Sequence, residues 1–189
     1  MKVICCGLKW WKVVENRVFG MYYGSHPTVL DDKGRITVPK RLQEVMERSD
    51  HITWYMTRGY KGCLYLYNLP EWEKLVSRVE ALDPLDPKAH DFLRLVYGCA
   101  MDVKVDRQGR MPVPAPLRGF AGLDRDVVLV GMRNHLELWR KDAWDAYQEA
   151  KGAEFEEMAA ELLLRGAAGG PRSAASSPMD VRGQGETTG

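Results

Sequence analysis

The chain has 189 residues, of which 45% are hydrophobic and 28% are charged, and its formal net charge is +1. This composition suffices for one sizeable core or two small ones and excludes a chain that is disordered throughout. No apolar run approaches the roughly 18 residues that a membrane-spanning helix requires. Taken as an average, the near-neutral charge argues against a nucleic-acid binder, because such proteins usually carry an excess of Lys and Arg.

Four cysteines, Cys5, Cys6, Cys63 and Cys99, form no Cys-x-x-Cys pair. They are too few and too scattered for a disulfide-built secreted domain, so we expect a reducing, cytoplasmic environment. The four histidines show no metal-ligand spacing, and the chain contains neither a phosphate-binding loop nor a dinucleotide-binding fingerprint. We therefore predict no metal and no cofactor.

The two ends of the chain differ from its middle. Residues 1–20 precede a second methionine, Met21, and we interpret them as an extension upstream of the true start. Residues 166–189 contain six glycines and two prolines. Such a composition buries too little apolar surface to offset the entropy of ordering, so we predict a disordered tail.

A twelve-residue segment occurs twice in the chain. Residues 31–42 read DDKGRITVPKRL and residues 106–117 read DRQGRMPVPAPL, with Asp, Gly, Arg, Val, Pro and Leu at the same six positions. The similarity continues into two apolar runs, 52–58 and 127–133, and into two Leu-x-Leu-aromatic motifs that each precede a Trp. The chain therefore contains two copies of a unit of about 75 residues.

Turn residues and apolar runs predict the elements of each copy. Asp31 and Gly34 suit the first and fourth positions of a type I turn, which makes a tight hairpin. The first copy is predicted to contain strands 26–30 and 35–38, a short helix 39–46, strands 52–57 and 63–67, and a helix 70–82. After a breaker at 83–87 and a connecting helix 90–97, the second copy is predicted to contain strands 100–105 and 110–113, a short helix 114–120, strands 127–132 and 135–139, and an acidic helix 141–165.

Neither copy has enough strand to close a core alone. We therefore predict a mainly β fold with peripheral helices, in which the two repeats interlock into one barrel-like domain. The predicted organisation is an extension 1–20, a first repeat 21–82, a linker with a short helix 83–98, a second repeat 99–150, a continuation of the C-terminal helix 151–165, and the tail 166–189.

Two tandem copies of Asp-x-x-Gly-Arg-apolar-x-Val-Pro, each followed by a Leu-x-Leu-aromatic motif and a Trp, resemble the MraZ family of bacterial transcriptional regulators. The resemblance covers the chain from Met21 to Ala150. Single copies of the motif also occur in the AbrB and SpoVT group and in MazE-type antitoxins. The resemblance implies two AbrB/SpoVT-like repeats interlocked in a double-split, swapped-hairpin β barrel.

The same resemblance implies a function. It indicates a protein without enzymatic activity that binds specific DNA sequences and represses a division and cell wall gene cluster. Such a protein binds promoter direct repeats in double-stranded DNA as a ring-like homo-oligomer. It is cytoplasmic and nucleoid-associated, without a membrane or a small-molecule substrate as partner.

The resemblance maps the principal DNA contacts onto Lys33 and Arg35 in the first turn. An arginine beside a tight turn can make a bidentate contact to guanine, whereas a lysine at the apex suits phosphate. The alternative for Arg35 and Arg110 is that each pairs with a carboxylate inside the barrel and stiffens it. The predicted DNA-binding residues are Lys33, Arg35, Lys40, Arg41, Arg107 and Arg110, and the predicted turn-forming residues are Asp31, Gly34, Asp106 and Gly109.

Some of these positions have other interpretations. Lys40 and Arg41 suit either a phosphate contact or a solvated helix face. The second copy has Gln108 where the first has Lys33, and prolines at 112 and 116 where the first has Thr and Arg. These departures make a DNA contact by the second copy less well supported than one by the first.

Two other functions fit parts of the sequence. An antitoxin-like protein-binding module is one, but such modules usually have a single copy of the motif and an inhibitory tail. A hydrolase that pairs Asp31 with Asp106 is the other, although turn chemistry alone accounts for both residues. Aromatic pairs at each strand-to-helix junction, Tyr67 with Trp72 and Trp139 with Trp144, are predicted to be core rather than base-stacking residues.

Charge is distributed unevenly along the chain. Residues 104–118 carry four cations and one carboxylate, whereas residues 141–165 carry seven carboxylates and three cations. The apolar positions of this acidic helix suit either a contact between protomers or an ordinary amphipathic helix. The average charge of +1 therefore does not exclude DNA binding, and it predicts that useful affinity requires an assembled oligomer.

Overall fold

The computed structural model describes residues 21–48, 53–83 and 85–168. The predicted extension 1–20 lies outside the described residues, as does the predicted tail 166–189 from residue 169 onward. Residues 166–168 belong to the last helix, so the predicted start of the tail at residue 166 is wrong. The elements are β1 (Tyr22–Val29), β2 (Arg35–Thr37), α1 (Lys40–Arg48), β3 (Thr53–Arg58), a 3-10 turn (Tyr60–Gly62), β4 (Leu64–Asn68), α2 (Leu69–Glu80), α3 (Pro87–Gly98), β5 (Met101–Lys104), β6 (Arg110–Pro112), α4 (Ala115–Ala121), β7 (Asp126–Arg133), β8 (Leu136–Arg140), α5 (Lys141–Gly152) and α6 (Phe155–Ala168).

Two compact units divide the chain, the first ending at Tyr147 and the second beginning at Gln148. The second unit contains the end of α5 and the whole of α6, whose Phe155 and Leu162 are exposed. The single helix predicted over 141–165 is wrong, because α5 ends at Gly152 and a new helix begins at Phe155. Glycine is a poor helix former, which accounts for the position of the break.

The first unit is built on an antiparallel sheet of six strands in the order β1-β7-β8-β4-β3-β5, with β2 and β6 forming a second ladder. Among the described strands the large sheet does not close on itself, so the predicted barrel closure is not confirmed. The predicted interlocking of the repeats is confirmed by the pairing of β1 with β7, β3 with β5, and β2 with β6.

The first predicted hairpin is only partly correct. Around the first turn, Asp31 N donates to Arg35 O at 2.8 Å, and one further bridge joins Leu30 to Ile36. Beyond that bridge the backbone ladder between them stops, although the Thr28 hydroxyl donates to Thr37 O at 2.7 Å. Instead, β1 pairs along its full length with β7, and β2 pairs with β6. The second predicted hairpin is confirmed, since β3 and β4 pair from Trp54 with Asn68 to Arg58 with Leu64.

Side chains from both repeats form one core. Ile36 and Met111 face each other across the β2–β6 ladder, and both are fully buried with Trp54 and Leu138 in the same cluster. On the opposite face of the sheet, Val128 packs in a smaller cluster. Central strands such as β7 are therefore buried on both faces, which explains their continuous apolar runs.

Helix starts in the first unit follow ordinary capping chemistry. The Asn68 side chain accepts a hydrogen bond from Glu71 N at 3.1 Å at the start of α2. Asp86 accepts one from Lys88 N at 2.9 Å at the start of α3. Because side-chain acceptors satisfy otherwise unpaired helical N–H groups, α3 begins at Pro87, three residues earlier than its apolar pattern predicts.

Candidate nucleic-acid interface

The first turn is held by the side chain of Asp31. Its Oδ1 accepts hydrogen bonds from the backbone N–H groups of Lys33 at 3.0 Å and Arg35 at 2.8 Å. Gly34 N donates to Asp31 O at 2.8 Å, and Gly34 has φ +72°. This geometry is a type I turn followed by a left-handed residue, which is the preferred three-residue hairpin loop. The turn presents Asp32 and Lys33 to solvent on a fixed backbone.

Arg35 and Asp31 also form an ion pair within this turn. The Arg35 Nε and Nη2 groups donate to Asp31 Oδ2 at 2.9 and 2.7 Å. A guanidinium has five N–H donors, so this side-on pair leaves both N–H groups of Nη1 and one of Nη2. The end-on edge of Arg35 therefore stays available for a bidentate acceptor while Asp31 fixes its orientation.

The second turn repeats this arrangement. Asp106 Oδ1 accepts from the backbone N–H groups of Gln108 and Arg110, both at 2.9 Å, and Arg110 Nε donates to Asp106 Oδ2 at 3.1 Å. Both arginines thus pair with a carboxylate, but each carboxylate belongs to the arginine's own turn. These pairs lie at the surface, since the Arg35 and Arg110 side chains are 26% and 32% exposed.

Both turn carboxylates are held in their charged form. The side-chain hydrogen bond from Arg35 lowers the pKa of Asp31, and the backbone N–H of Arg110 lowers the pKa of Asp106. Two carboxylates that share a catalytic proton would instead have one strongly raised pKa. The geometry therefore gives no support to a hydrolase built on this pair.

The β2–β6 ladder places the two turns at its opposite ends. The ladder is antiparallel, and each turn immediately precedes one of its strands. Val113 N donates to Gly34 O and Val38 N donates to Gly109 O, both at 2.8 Å. Each turn is consequently fastened to the chain that follows the ladder strand of the other repeat.

The helices after the ladder strands reach the turns in the same crossed manner. On α1, the Gln43 side chain lies against Gly109 of the second turn. On α4, the Arg118 side chain lies against Gly34 of the first turn. The structure therefore associates α1 with the second turn and α4 with the first.

This crossing divides the six predicted cations into two groups. Lys33 and Arg35 belong to the first turn, whereas Arg107 and Arg110 belong to the second. Lys40 and Arg41 begin α1, the helix beside the second turn, and both are exposed. The Arg41 Cζ atom lies 3.8 Å from the centroid of the Tyr23 ring, which is a cation–π contact on β1.

Arg118 is a neighbour of the first turn and is not among the six cations predicted from the sequence. The available signal was the repeat itself, because Arg118 follows Leu117 as Gln43 follows Leu42. Recognising its position also requires the crossed ladder, which the motif alone does not reveal.

The predicted aromatic packing is confirmed. The rings of Tyr67 and Trp72 have centroids 6.3 Å apart, and those of Trp139 and Trp144 are 5.5 Å apart. Trp72 and Trp139 are buried, so these rings contribute to the core of the protein.

In the ranges that the structure describes, we find no group of three or more His, Cys, Asp or Glu suited to a metal ion. No helix in those ranges is long and apolar enough to span a bilayer.

Comparison with known proteins identifies similar sequences along most of the chain. A family model described as "MraZ protein, putative antitoxin-like" matches residues 21–95 and again residues 96–166. A protein of Frankia casuarinae named transcriptional regulator MraZ is 38% identical over 144 residues, which cover 76% of this chain and 97% of the relative. A protein of the same name from Deinococcus radiodurans is 37% identical over 134 residues, covering 71% of this chain and 92% of the relative.

Proposed function

The chain belongs to the MraZ family, and from this premise we propose that it is a transcriptional regulator that binds double-stranded DNA through its first turn. The relatives' names support the regulatory role. The observation that carries the DNA-binding part is the Asp31–Arg35 pair, which fixes an arginine at a turn while leaving its end-on edge available.

The first turn contains the two kinds of group that DNA recognition requires. The end-on edge of Arg35 matches the O6 and N7 acceptors of guanine in the major groove. Lys33 is exposed at the apex and suits a phosphate oxygen, a contact that sets position rather than sequence. We assign base readout to Arg35 and phosphate binding to Lys33.

The second turn is proposed to contribute less. It has Gln108 at the position of Lys33, and its exposed Arg107 stands at the position of Asp32, so the two turns carry equal numbers of cations in different places. Lys40 and Arg41, on the helix beside this turn, are proposed as additional phosphate contacts. The N–H groups at the edge of the Arg41 guanidinium remain available to a phosphate, since its cation–π contact with Tyr23 uses the face of the group.

We extend the proposal to a ring-like homo-oligomer that binds direct repeats in a promoter. One protomer offers few phosphate contacts, and several protomers held on one DNA raise avidity by roughly 100 to 10,000-fold when their spacing matches the repeats. The proposed target is the division and cell wall gene cluster, which the protein represses as a cytoplasmic, nucleoid-associated regulator. Closure of the two ladders into a swapped-hairpin barrel belongs to the same proposal.

Gel-shift measurements with the DNA upstream of the protein's own gene test this function. We expect a shifted complex with the unaltered protein, and a greatly weakened one with Lys33→Ala and with Arg35→Ala. Glu47→Ala, an exposed change on α1 outside the turns, is the control and should leave the complex unchanged. Unchanged binding by both turn variants would refute the assigned site, and absence of any sequence-specific complex would refute the function.

An antitoxin-like role is a second candidate because the matching family description includes that term. Such a role requires a toxin partner, which would be encoded beside this gene. Co-expression with the products of adjacent genes should recover only the protein itself if the regulator proposal is correct. A stoichiometric complex with a toxic neighbour would favour the antitoxin.

A further inference from the structure

A cation from the second repeat lies directly against the first turn. A methyl group built on Gly34 would be 1.8 Å from Arg118 Nη1 and 2.5 Å from Arg118 Cζ, so the guanidinium covers this side of the turn. Gly34 lies between Lys33 and Arg35 in the chain. The guanidinium of Arg118 is therefore a third cation at the place where the first turn presents its two.

The equivalent position in the other repeat is not a cation. Gln43 occupies the corresponding place on α1, and a methyl group on Gly109 would be 2.0 Å from its Nε2 atom. The fold thus accepts two different side chains at the same contact with a turn glycine. A positive charge is not required for packing there, because the neutral Gln43 makes the same approach.

Arg118 also differs from the two turn arginines in its partners. Arg35 and Arg110 are paired with Asp31 and Asp106. Among the residues that the structure describes, Arg118 has no carboxylate partner, and its side chain is partly exposed. Arg118 is permanently charged, lies beside the exposed turn and is not neutralised by a carboxylate partner, so its guanidinium is suited to an external anion.

We propose that Arg118 binds a DNA phosphate beside the groove that the first turn enters, so that each DNA-binding surface is built from both repeats. This inference rests on the proposed function and deepens it. Phosphate is the expected acceptor because Arg118 lies on the flank of the turn at Gly34, whereas Lys33 is at the apex and Arg35 is oriented by Asp31. Flanking cations usually contact the backbone of the duplex and set its register.

The salt dependence of DNA binding tests the proposal. The variants are Arg118→Gln, which introduces the residue that the other repeat already accommodates, and Arg118→Lys, which keeps the charge. Equilibrium affinity for upstream DNA and for an unrelated duplex is measured by fluorescence anisotropy over a range of NaCl concentrations. Circular dichroism melting of each variant checks the fold.

For Arg118→Gln we expect binding to both DNAs to weaken by about tenfold for each protomer on the DNA. The slope of log K against log salt concentration should fall by about 0.9 for each protomer on the DNA. Arg118→Lys should restore the slope. Loss of binding to upstream DNA alone, with Lys failing like Gln, would instead show that Arg118 only positions the turn and would overturn the proposal.

Lys33→Ala in the same assay distinguishes failure of the inference about Arg118 from failure of the proposed DNA-binding site. If Lys33→Ala weakens binding and Arg118→Gln leaves affinity and slope unchanged, only the inference about Arg118 fails. If neither variant changes binding, the assignment of the first turn as the DNA-binding site fails with it.

Discussion

Asp31 and Arg35 are joined through a single carboxylate oxygen, with the Nε and Nη2 groups of Arg35 donating to Asp31 Oδ2 at 2.9 and 2.7 Å. The other oxygen of Asp31 accepts two backbone N–H groups of the turn. One side chain therefore shapes the turn with one oxygen and orients the arginine with the other. Arg35 can therefore stabilise the turn and contact DNA at the same time, because its end-on edge takes no part in the ion pair with Asp31.

The substitution Asp31→Asn should reduce sequence discrimination more than affinity. Its amide oxygen can still accept the backbone N–H groups, but the ion pair that orients Arg35 is lost. We expect the ratio of affinities for upstream and unrelated DNA to fall about tenfold, since a bidentate base contact is worth roughly 1–3 kcal/mol of discrimination. Binding to unrelated DNA should strengthen because a negative charge is removed. Competition titrations measure the ratio, with Asp106→Asn as the matched control; an unchanged ratio for Asp31→Asn would refute the orienting role.

Acid should destabilise the protein through the same turns. The pKa values of Asp31 and Asp106 are lowered in the folded state, so the stability they contribute is present above the unfolded pKa, near 4, and is lost as pH falls through the folded values. Melting temperatures between pH 7 and pH 3 should therefore fall mainly below about pH 4. A double variant, Asp31→Asn with Asp106→Asn, should show a shallower fall, and identical pH profiles would contradict the account.

Pairing of β1 with β7 depends on the absence of a side chain at Gly131. A methyl group there would lie 2.2 Å from Tyr23 N, a backbone atom of the paired strand that cannot move aside alone. Gly131→Ala should lower the free energy of unfolding by about 1–3 kcal/mol, as overpacking generally does. Urea unfolding measures the change. Gly98→Ala, where a methyl group would meet nothing within 4 Å beyond the neighbouring backbone of its own helix, is the control, and equal effects of both substitutions would contradict the predicted close approach.

The two repeats should unfold as one cooperative core. Met111 is fully buried opposite Ile36 of the other repeat, so Met111→Ala should cost about 2–5 kcal/mol of unfolding free energy. Met132→Ala, on a side chain that is 45% exposed, should change it by no more than about 0.5 kcal/mol. Chemical denaturation followed by tryptophan fluorescence gives both values. A cost below about 1 kcal/mol for Met111→Ala would contradict a core shared across the ladder.

Local structure, such as the first turn, was largely predictable because residues close together in the sequence determine it. The Asp-x-x-Gly pattern predicts the turn at Asp31, and the structure adds the hydrogen bonds that explain it. Strand pairing was less accessible, because β1 has one buried residue, Tyr22, and no pattern in its own sequence that favours β7 over β2 as its partner. In the structure β1 pairs with β7 over eight residues, whereas a single bridge from Leu30 joins this part of the chain to the three-residue β2.

For the candidate site, too, the sequence predicts the turn residues but not which other residues lie beside them. The repeated motif directs attention to Arg35 and Arg110, whereas Arg118 becomes a neighbour of the first turn only through the crossed β2–β6 ladder. The motif also does not show which turn Lys40 and Arg41 lie beside, although they follow the first turn in the chain. In three dimensions their helix lies beside the second turn.

The first turn is proposed to provide the principal DNA contact, and substitution of one exposed cation in each turn by glutamine tests this assignment most directly. Lys33→Gln gives the first turn the residue found at the equivalent place in the second, and Arg107→Gln removes an exposed cation from the second turn. In equilibrium titrations of upstream DNA at fixed salt, we predict that Lys33→Gln weakens binding at least about tenfold and Arg107→Gln clearly less. Equal losses for the two variants, or a larger loss for Arg107→Gln, would contradict the claim.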